Sequence, residues 1–255
     1  MEDKYRITIV IGTRPEALKL VPVILKFRQC KDLVLRIILT GQHIQMVAQV
    51  LKIFKLKEDL NLEIMKHLQT LTYLTTSVIN GLEEEFCRDK PELVIVQGDT
   101  TSAFAASLAA FYQKIPVAHI EAGLRTNKIY SPYPEEMNRK FISQIASLHF
   151  APTQIAMNNL LSSGIKENVF LTGNTIIDTL VIADRLNFKK PFKGANFENK
   201  KVILMTLHRR ENWGKEFNKI ANGIKLILDK HQDIVIFFAS HLNNVSSSVI
   251  SNLIG

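Results

Sequence analysis

Two hydrophobic rhythms alternate along the chain. Short runs of β-branched residues are followed by longer stretches whose apolar positions recur every three or four residues. Ile7-Thr8-Ile9-Val10-Ile11 is apolar on both faces and reads as a buried parallel strand. It ends at Gly12-Thr13, and Pro15 suits the first turn of a helix running to about Phe27. Val34 to Leu39 predicts a second strand. A helix with Met46, Val47, Val50, Leu51 and Phe54 on one face follows it. A longer helix is predicted from Thr70 to Arg88, then a strand Leu93–Val96 and an alanine-rich helix Ser102–Tyr112. The alternation continues with a strand Pro116–Ile120, a long loop, and a helix Glu135–Ala146. Strand-like runs Leu148–Ala151 and Val169–Thr172 come next, then a helix Ile176–Arg185.

Strands alternating with helices predict an α/β fold with a parallel sheet covered on both faces. Residues 1–186 read as one such domain. The stretch 187–200 loses all periodicity and reads as a linker rich in Lys, Phe, Pro, Gly and Asn. A strand from Val202 to Leu207, a helix Lys215–Leu228 and a strand Ile234–Phe238 then predict a partial second domain over residues 201–255.

Composition narrows the function classes. With 46% hydrophobic and 22% charged residues among 255, the chain has a globular balance. No apolar run is long enough to cross a bilayer and no signal peptide is read, so a cytoplasmic protein without a membrane partner is expected. The Lys-, Asn- and Ile-heavy composition fits an AT-rich genome, bacterial or plastid, which makes the plastid stroma the alternative location. A net charge of +8 allows nucleic acid, an anionic surface or an acidic small molecule as partner. The cations are scattered and no aromatic platform is interleaved with them, which argues against nucleic acid. Cys30 and Cys87 lack metal-ligand spacing and read as buried or half-buried free thiols inside helices.

Candidate chemistry collects after the strands, where open parallel sheets bind ligands. Arg14 and Lys19 flank the first strand–helix junction, whose amides favour an anion. Gly12-Thr13-Arg14-Pro15-Glu16 is not a Gly-x-Gly-x-x-Gly fingerprint, so no nicotinamide cofactor is inferred. Asp99 and Glu121 end adjacent predicted strands and converge as paired carboxylates do for acid–base work. Their spacing equally allows Asp99 to cap the next helix and Glu121 to pair with Arg125. Glu135 starts a helix with Arg139 one turn on, a spacing that also fits a simple i,i+4 ion pair. His208-Arg209-Arg210 follows a strand and suits a diphosphate.

Taken as an ordered series, these strings are far more specific. Gly12-Thr13-Arg14-Pro15-Glu16-Ala17-Leu18-Lys19, Thr40-Gly41-Gln42-His43, Gln97-Gly98-Asp99-Thr100-Thr101 and His119-Ile120-Glu121-Ala122-Gly123-Leu124-Arg125-Thr126 come first. Pro134-Glu135-Glu136-Met137-Asn138-Arg139, Gly173-Asn174-Thr175 and His208-Arg209-Arg210-Glu211-Asn212 complete it. From about Arg6 to Phe238 the chain resembles the non-hydrolysing UDP-N-acetylglucosamine 2-epimerases. The resemblance implies a GT-B fold of two Rossmann-like domains, the first complete and the second partial here. It implies interconversion of UDP-N-acetylglucosamine and UDP-N-acetylmannosamine for polysaccharide biosynthesis, by elimination and re-addition of UDP. No metal or other cofactor is implied, and a homodimer is the family's common assembly.

Carried across by motif, Asp99, Glu121 and Glu135 are the carboxylates of proton transfer, and His208 assists UDP departure. Arg14, Lys19, Arg139 and Arg209 bind the substrate. Gln42, His43, Gln45 and Gln69 match positions that contact an allosteric second substrate, although Leu68 and Ile44 replace other residues expected there. The family's later Glu-Pro-Leu, Asp-Ser-Gly-Gly and Thr-Glu-Arg-Pro-Glu strings are not in this sequence. The second expectation is therefore a shortened, catalytically impaired homologue that keeps the fold and at most binds a nucleotide sugar weakly.

Overall fold

In the computed structural model, the structure describes residues 4–42, 44–66, 69–186, 197, 199–206 and 215–239. The chain forms two compact units, residues 1–187 and 188–255. In the first unit the elements are β1 (Tyr5–Ile11), α1 (Arg14–Phe27), β2 (Leu33–Leu39), α2 (Ile44–Ile53), β3 (Leu60–Asn61), α3 (Leu71–Arg88) and β4 (Leu93–Gln97). There follow α4 (Thr101–Tyr112), β5 (Val117–Ile120), α5 (Glu135–Ile145), β6 (Leu148–Ala151), α6 (Gln154–Ser162), β7 (Val169–Leu171) and α7 (Ile176–Asp184). The seven strands form one sheet in the order β3-β2-β1-β4-β5-β6-β7, every pair parallel.

The strand pattern explains the layering. Successive side chains point to opposite faces. Ile9, Ile11, Ile37, Leu39 and Ile95 therefore pack under α1 and α2, while Val10, Ile38, Val94 and Val96 pack under α3 and α4. α7 returns to α1, where Thr179 Oγ1 donates to the Leu18 carbonyl at 2.6 Å. The alanine-rich face of α4, with Ala103, Ala106, Ala109 and Ala110 buried, lets that helix lie close against its neighbours. Thr70, Thr100 and Thr153 cap α3, α4 and α6, each accepting from the amide three residues on at 3.0–3.1 Å.

Two short elements, β3 and α6, were not expected from the sequence pattern. Cys30 lies beyond the end of α1, and both cysteines are exposed rather than buried. In the second unit, β8 (Lys201–Thr206), α8 (Lys215–Lys230) and β9 (Ile234–Ala239) form a β–α–β element with parallel strands. Among the described residues no helix is long and apolar enough to cross a membrane.

The β5–α5 loop is seated on α6 by a glycine. Gly123 has φ +87°, and a Cβ there would sit 2.1 Å from the Ala156 carbonyl oxygen. The Gly123 carbonyl in turn accepts from Asn159 Nδ2 at 3.0 Å. Gly123→Ala is expected to cost about 2 kcal/mol, combining a left-handed backbone with overpacking. Urea unfolding measures it, and an unchanged midpoint would contradict this close approach.

Candidate active site

The sheet order reverses between β1 and β4. β1 leads into α1 on one face and β4 into α4 on the other, which makes their carboxyl ends the topological switch point where open parallel sheets bind ligands. Of the predicted first-unit site residues, Lys19 meets Glu121 and Arg139 meets Asp99 at the neighbouring ends of β4 and β5.

Asp99 follows β4. Its Oδ2 accepts from Arg139 Nη2 at 2.5 Å and Nε at 3.1 Å, and its main-chain carbonyl accepts from Asn138 Nδ2 at 2.9 Å. The cap of α4 is Thr100, not Asp99. Glu121 stands directly after β5 with φ +65°, a left-handed backbone unusual for a side-chain-bearing residue. Such outliers cluster where function fixes a side chain. Its Oε2 accepts from both Lys19 Nζ, on α1, and Gln97 Nε2, on β4. The local partner Arg125 instead donates to the Leu124 carbonyl and Ser143 Oγ, at 2.8 and 3.1 Å. Each of these two carboxylates is thus matched by its own cation rather than by the other.

Glu135 and Glu136 begin α5 and behave differently. Glu136 is fully buried and accepts from the amides of Thr126 and Asn127 and from Arg139 Nη1, at 2.9, 3.2 and 3.0 Å. Burial favours its neutral form, but these donors outweigh it and hold its pKa below the usual carboxylate value. Arg139 therefore bridges Glu136 to Asp99 and does not pair with Glu135. Glu135 keeps a buried oxygen, Oε2, with no hydrogen-bond partner among the described residues. An acceptor left unmatched in a buried position costs stability and calls for a functional account.

The cationic side is arranged less simply than expected. Arg14 is exposed and makes no ion pair among the described residues. Lys19 is engaged with Glu121. The amides of Gly12 and Thr13, expected to favour an external anion, are taken by Glu16 Oε2 at 3.0 and 2.5 Å. Gln42 accepts from Ser102 Oγ at 2.8 Å, Gln45 is exposed, and Gln69 accepts from the Lys66 amide at 3.3 Å. His43, His208 and Arg209 lie outside the described residues. Among the described residues no group of His, Cys, Asp and Glu is spaced to hold a metal ion.

Two supporting residues escaped the sequence reading. His119 is fully buried, with Nε2 2.7 Å from the Gly98 carbonyl, so it steadies the turn that presents Asp99. Burial pushes its pKa down to about 4, aided by His149, Arg125 and Arg139 and opposed by the Gly98 contact. Its neutral ring donates through Nε2. Glu16 is the other: it has the capping-box spacing Thr13-x-x-Glu16, a signal that was available in the sequence.

Known proteins resemble this chain in sequence and fold along most of its length. The family profile for UDP-N-acetylglucosamine 2-epimerase matches residues 25–255. The UDP-N-acetylglucosamine 2-epimerase of Neisseria meningitidis serogroup A is 46% identical over 246 residues, 93% of this chain and 66% of that protein. The Bacillus subtilis enzyme is 44% identical over 243 residues, 95% of this chain and 64% of that protein. This chain thus spans about two thirds of the length of those relatives. The crystal structure of the Neisseria meningitidis enzyme bound to UDP-GlcNAc superposes with a TM-score of 0.86 at 44% identity, covering 97% of this chain and 69% of that one. With an α/β fold of the GT-B type and this likeness along nearly its whole length, the chain belongs to the UDP-N-acetylglucosamine 2-epimerase family.

Proposed function

We propose that this chain carries the proton-transfer site of a UDP-N-acetylglucosamine 2-epimerase. In the reaction a carboxylate takes the C2 proton. The C–H electrons become the C1=C2 bond of a glycal, and the C1–O pair leaves with UDP. A proton then reaches C2 from the other face and UDP re-adds at C1, giving UDP-N-acetylmannosamine. The chemistry needs acid–base groups on both faces of the sugar and cations against the departing diphosphate.

The observation that carries this reading is the pair of cation-matched carboxylates at the ends of β4 and β5, with one buried oxygen of Glu135, on the helix that carries Arg139, unmatched among the described residues. Asp99, Glu121 and Glu135 serve the proton transfers, Arg14, Lys19 and Arg139 the substrate's charge, and His208 with Arg209 the leaving UDP. The family's nucleotide-sugar chemistry extends to this chain as a cytoplasmic homodimer. Incubating the full chain with UDP-N-acetylglucosamine in deuterated water tests it by NMR. UDP-N-acetylmannosamine carrying deuterium at C2 is expected. No product and no C2 exchange would remove the catalytic reading, and binding without exchange would favour the impaired homologue.

A further inference from the structure

We propose that Glu16 is a positioning residue that latches the loops after β1 and β4, holding Lys19 and Arg14 in register with Asp99. The inference deepens the proposed function and rests on it for its catalytic consequence. Its geometry stands by itself.

Among the described residues Glu16 hydrogen-bonds no candidate acid–base group and pairs with no candidate cation, yet its carboxylate is fully buried and fully used. Oε2 accepts from the Gly12 and Thr13 amides, at 3.0 and 2.5 Å. Oε1 accepts from Thr100 Oγ1 at 2.8 Å, and Thr100 Oγ1 in turn caps α4 through the Ala103 amide at 3.0 Å. Gly12 is pressed so closely on α4 that a Cβ would lie 2.5 Å from the Ser102 Cβ. Ser102 Oγ extends the junction to the loop after β2, donating to Gln42 Oε1 at 2.8 Å and lying 3.2 Å from Thr40 Oγ1. Three strand-end loops therefore meet at one buried polar junction. A capping residue needs only its own helix. Glu16 reaches 84 residues along the chain to the residue that follows Asp99.

Burial pushes the Glu16 carboxyl up to about 7, and both protonation states fit the junction. The neutral acid accepts the two amides through Oε2 and donates from Oε1 to Thr100. Glutamine reproduces that neutral pattern, and alanine removes it. The test is turnover per folded molecule for Glu16→Gln and Glu16→Ala, with amide hydrogen exchange on each full chain. Glu16→Ala is expected to lose about 10²-fold in kcat with KM changed by less than about threefold, as misplacement by an ångström does. Glu16→Gln is expected to stay within about fivefold of the parent in kcat. In exchange, the Gly12, Thr13 and Ala103 amides should lose protection in the alanine variant and regain it in the glutamine variant. An alanine variant with parental kcat, or a glutamine variant as slow as alanine, overturns the positioning role. Unchanged protection in the alanine variant overturns the latch. Protection that follows this pattern in a chain without any turnover leaves the latch standing and removes the proposed function instead.

Discussion

Glu135→Gln is expected to lower kcat by about 10³-fold and to abolish solvent exchange at C2, while the circular dichroism of the fold stays unchanged. General acid–base residues contribute roughly 10²–10⁴-fold, and glutamine keeps the shape of the side chain while losing its proton affinity. The size of the effect follows from how the carboxylates are occupied. Glu121 accepts from Lys19 and Gln97, and Asp99 accepts two donors from Arg139 on one oxygen. Glu136, the neighbour of Glu135, is taken up by two amides and Arg139. Glu135 Oε2 is buried and has no partner among the described residues. A base must be able to accept a proton without first surrendering a cation, and among the described residues Glu135 meets that condition. Glu136→Gln is the contrasting variant. It should weaken the chain by leaving Arg139 partly unmatched in a buried place, an effect read in unfolding rather than in C2 exchange. If Glu135→Gln turned over at the parental rate, Glu135 would be an ordinary helix-start residue and the proton would have to go elsewhere.

Some of this was legible in the sequence and some was not, for physical reasons. The long elements were readable because each carries several turns or a two-faced apolar run, as in β1 and α3. β3 has two residues, too few to show a period. α6 buries only Ala156 and Leu160, a single i,i+4 pair, and its clearest cue was the cap at Thr153. Asp99 and Glu121 stood out because strand ends are where such sheets bind ligands, and Glu135 through the ordered string Pro134–Arg139. Their partners did not stand out. The sequence offers near neighbours, Arg125 for Glu121 and Arg139 for Glu135. The folded chain instead joins Glu121 to a lysine 102 residues away and Asp99 to an arginine 40 residues away. Topology decides those pairings, because α1 and α5 both bring their N-terminal halves to the residues that follow β4 and β5. Asp99 and Glu121 end neighbouring strands, yet each faces a different helix and finds its own cation there.

The buried ionisable groups that support the site should also leave opposite marks on the pH dependence of stability. Glu16 has a folded pKa of about 7 against an ordinary 4.5. Between those values the native state holds a proton that the unfolded chain has lost, so its contribution is fully present below pH 4.5 and is lost as pH rises through about 7. His119 has a folded pKa of about 4 against 6.5. There the unfolded chain binds the proton, so its contribution is present above pH 6.5 and is lost as pH falls towards 4. Burial lowers the His149 pKa as well, which adds to the slope of His119. Each of the two large shifts corresponds to about 3 kcal/mol, and in the parent protein they act against each other across the same window. Neutral replacements should separate them. Relative to the parent, Glu16→Gln is expected to gain about 3 kcal/mol of stability between pH 4.5 and 7.5. His119→Gln is expected to lose about as much relative to the parent between pH 4 and 6.5, as the parent recovers the contribution of its neutral histidine. Urea unfolding at half-unit pH steps measures both differences. Curves that run parallel to the parent's across this range would mean that neither group is held away from its ordinary protonation by the fold. In that event the junction of Glu16 with Thr100, and that of His119 with Gly98, would be open to water and unable to hold the loop bearing Asp99 in place.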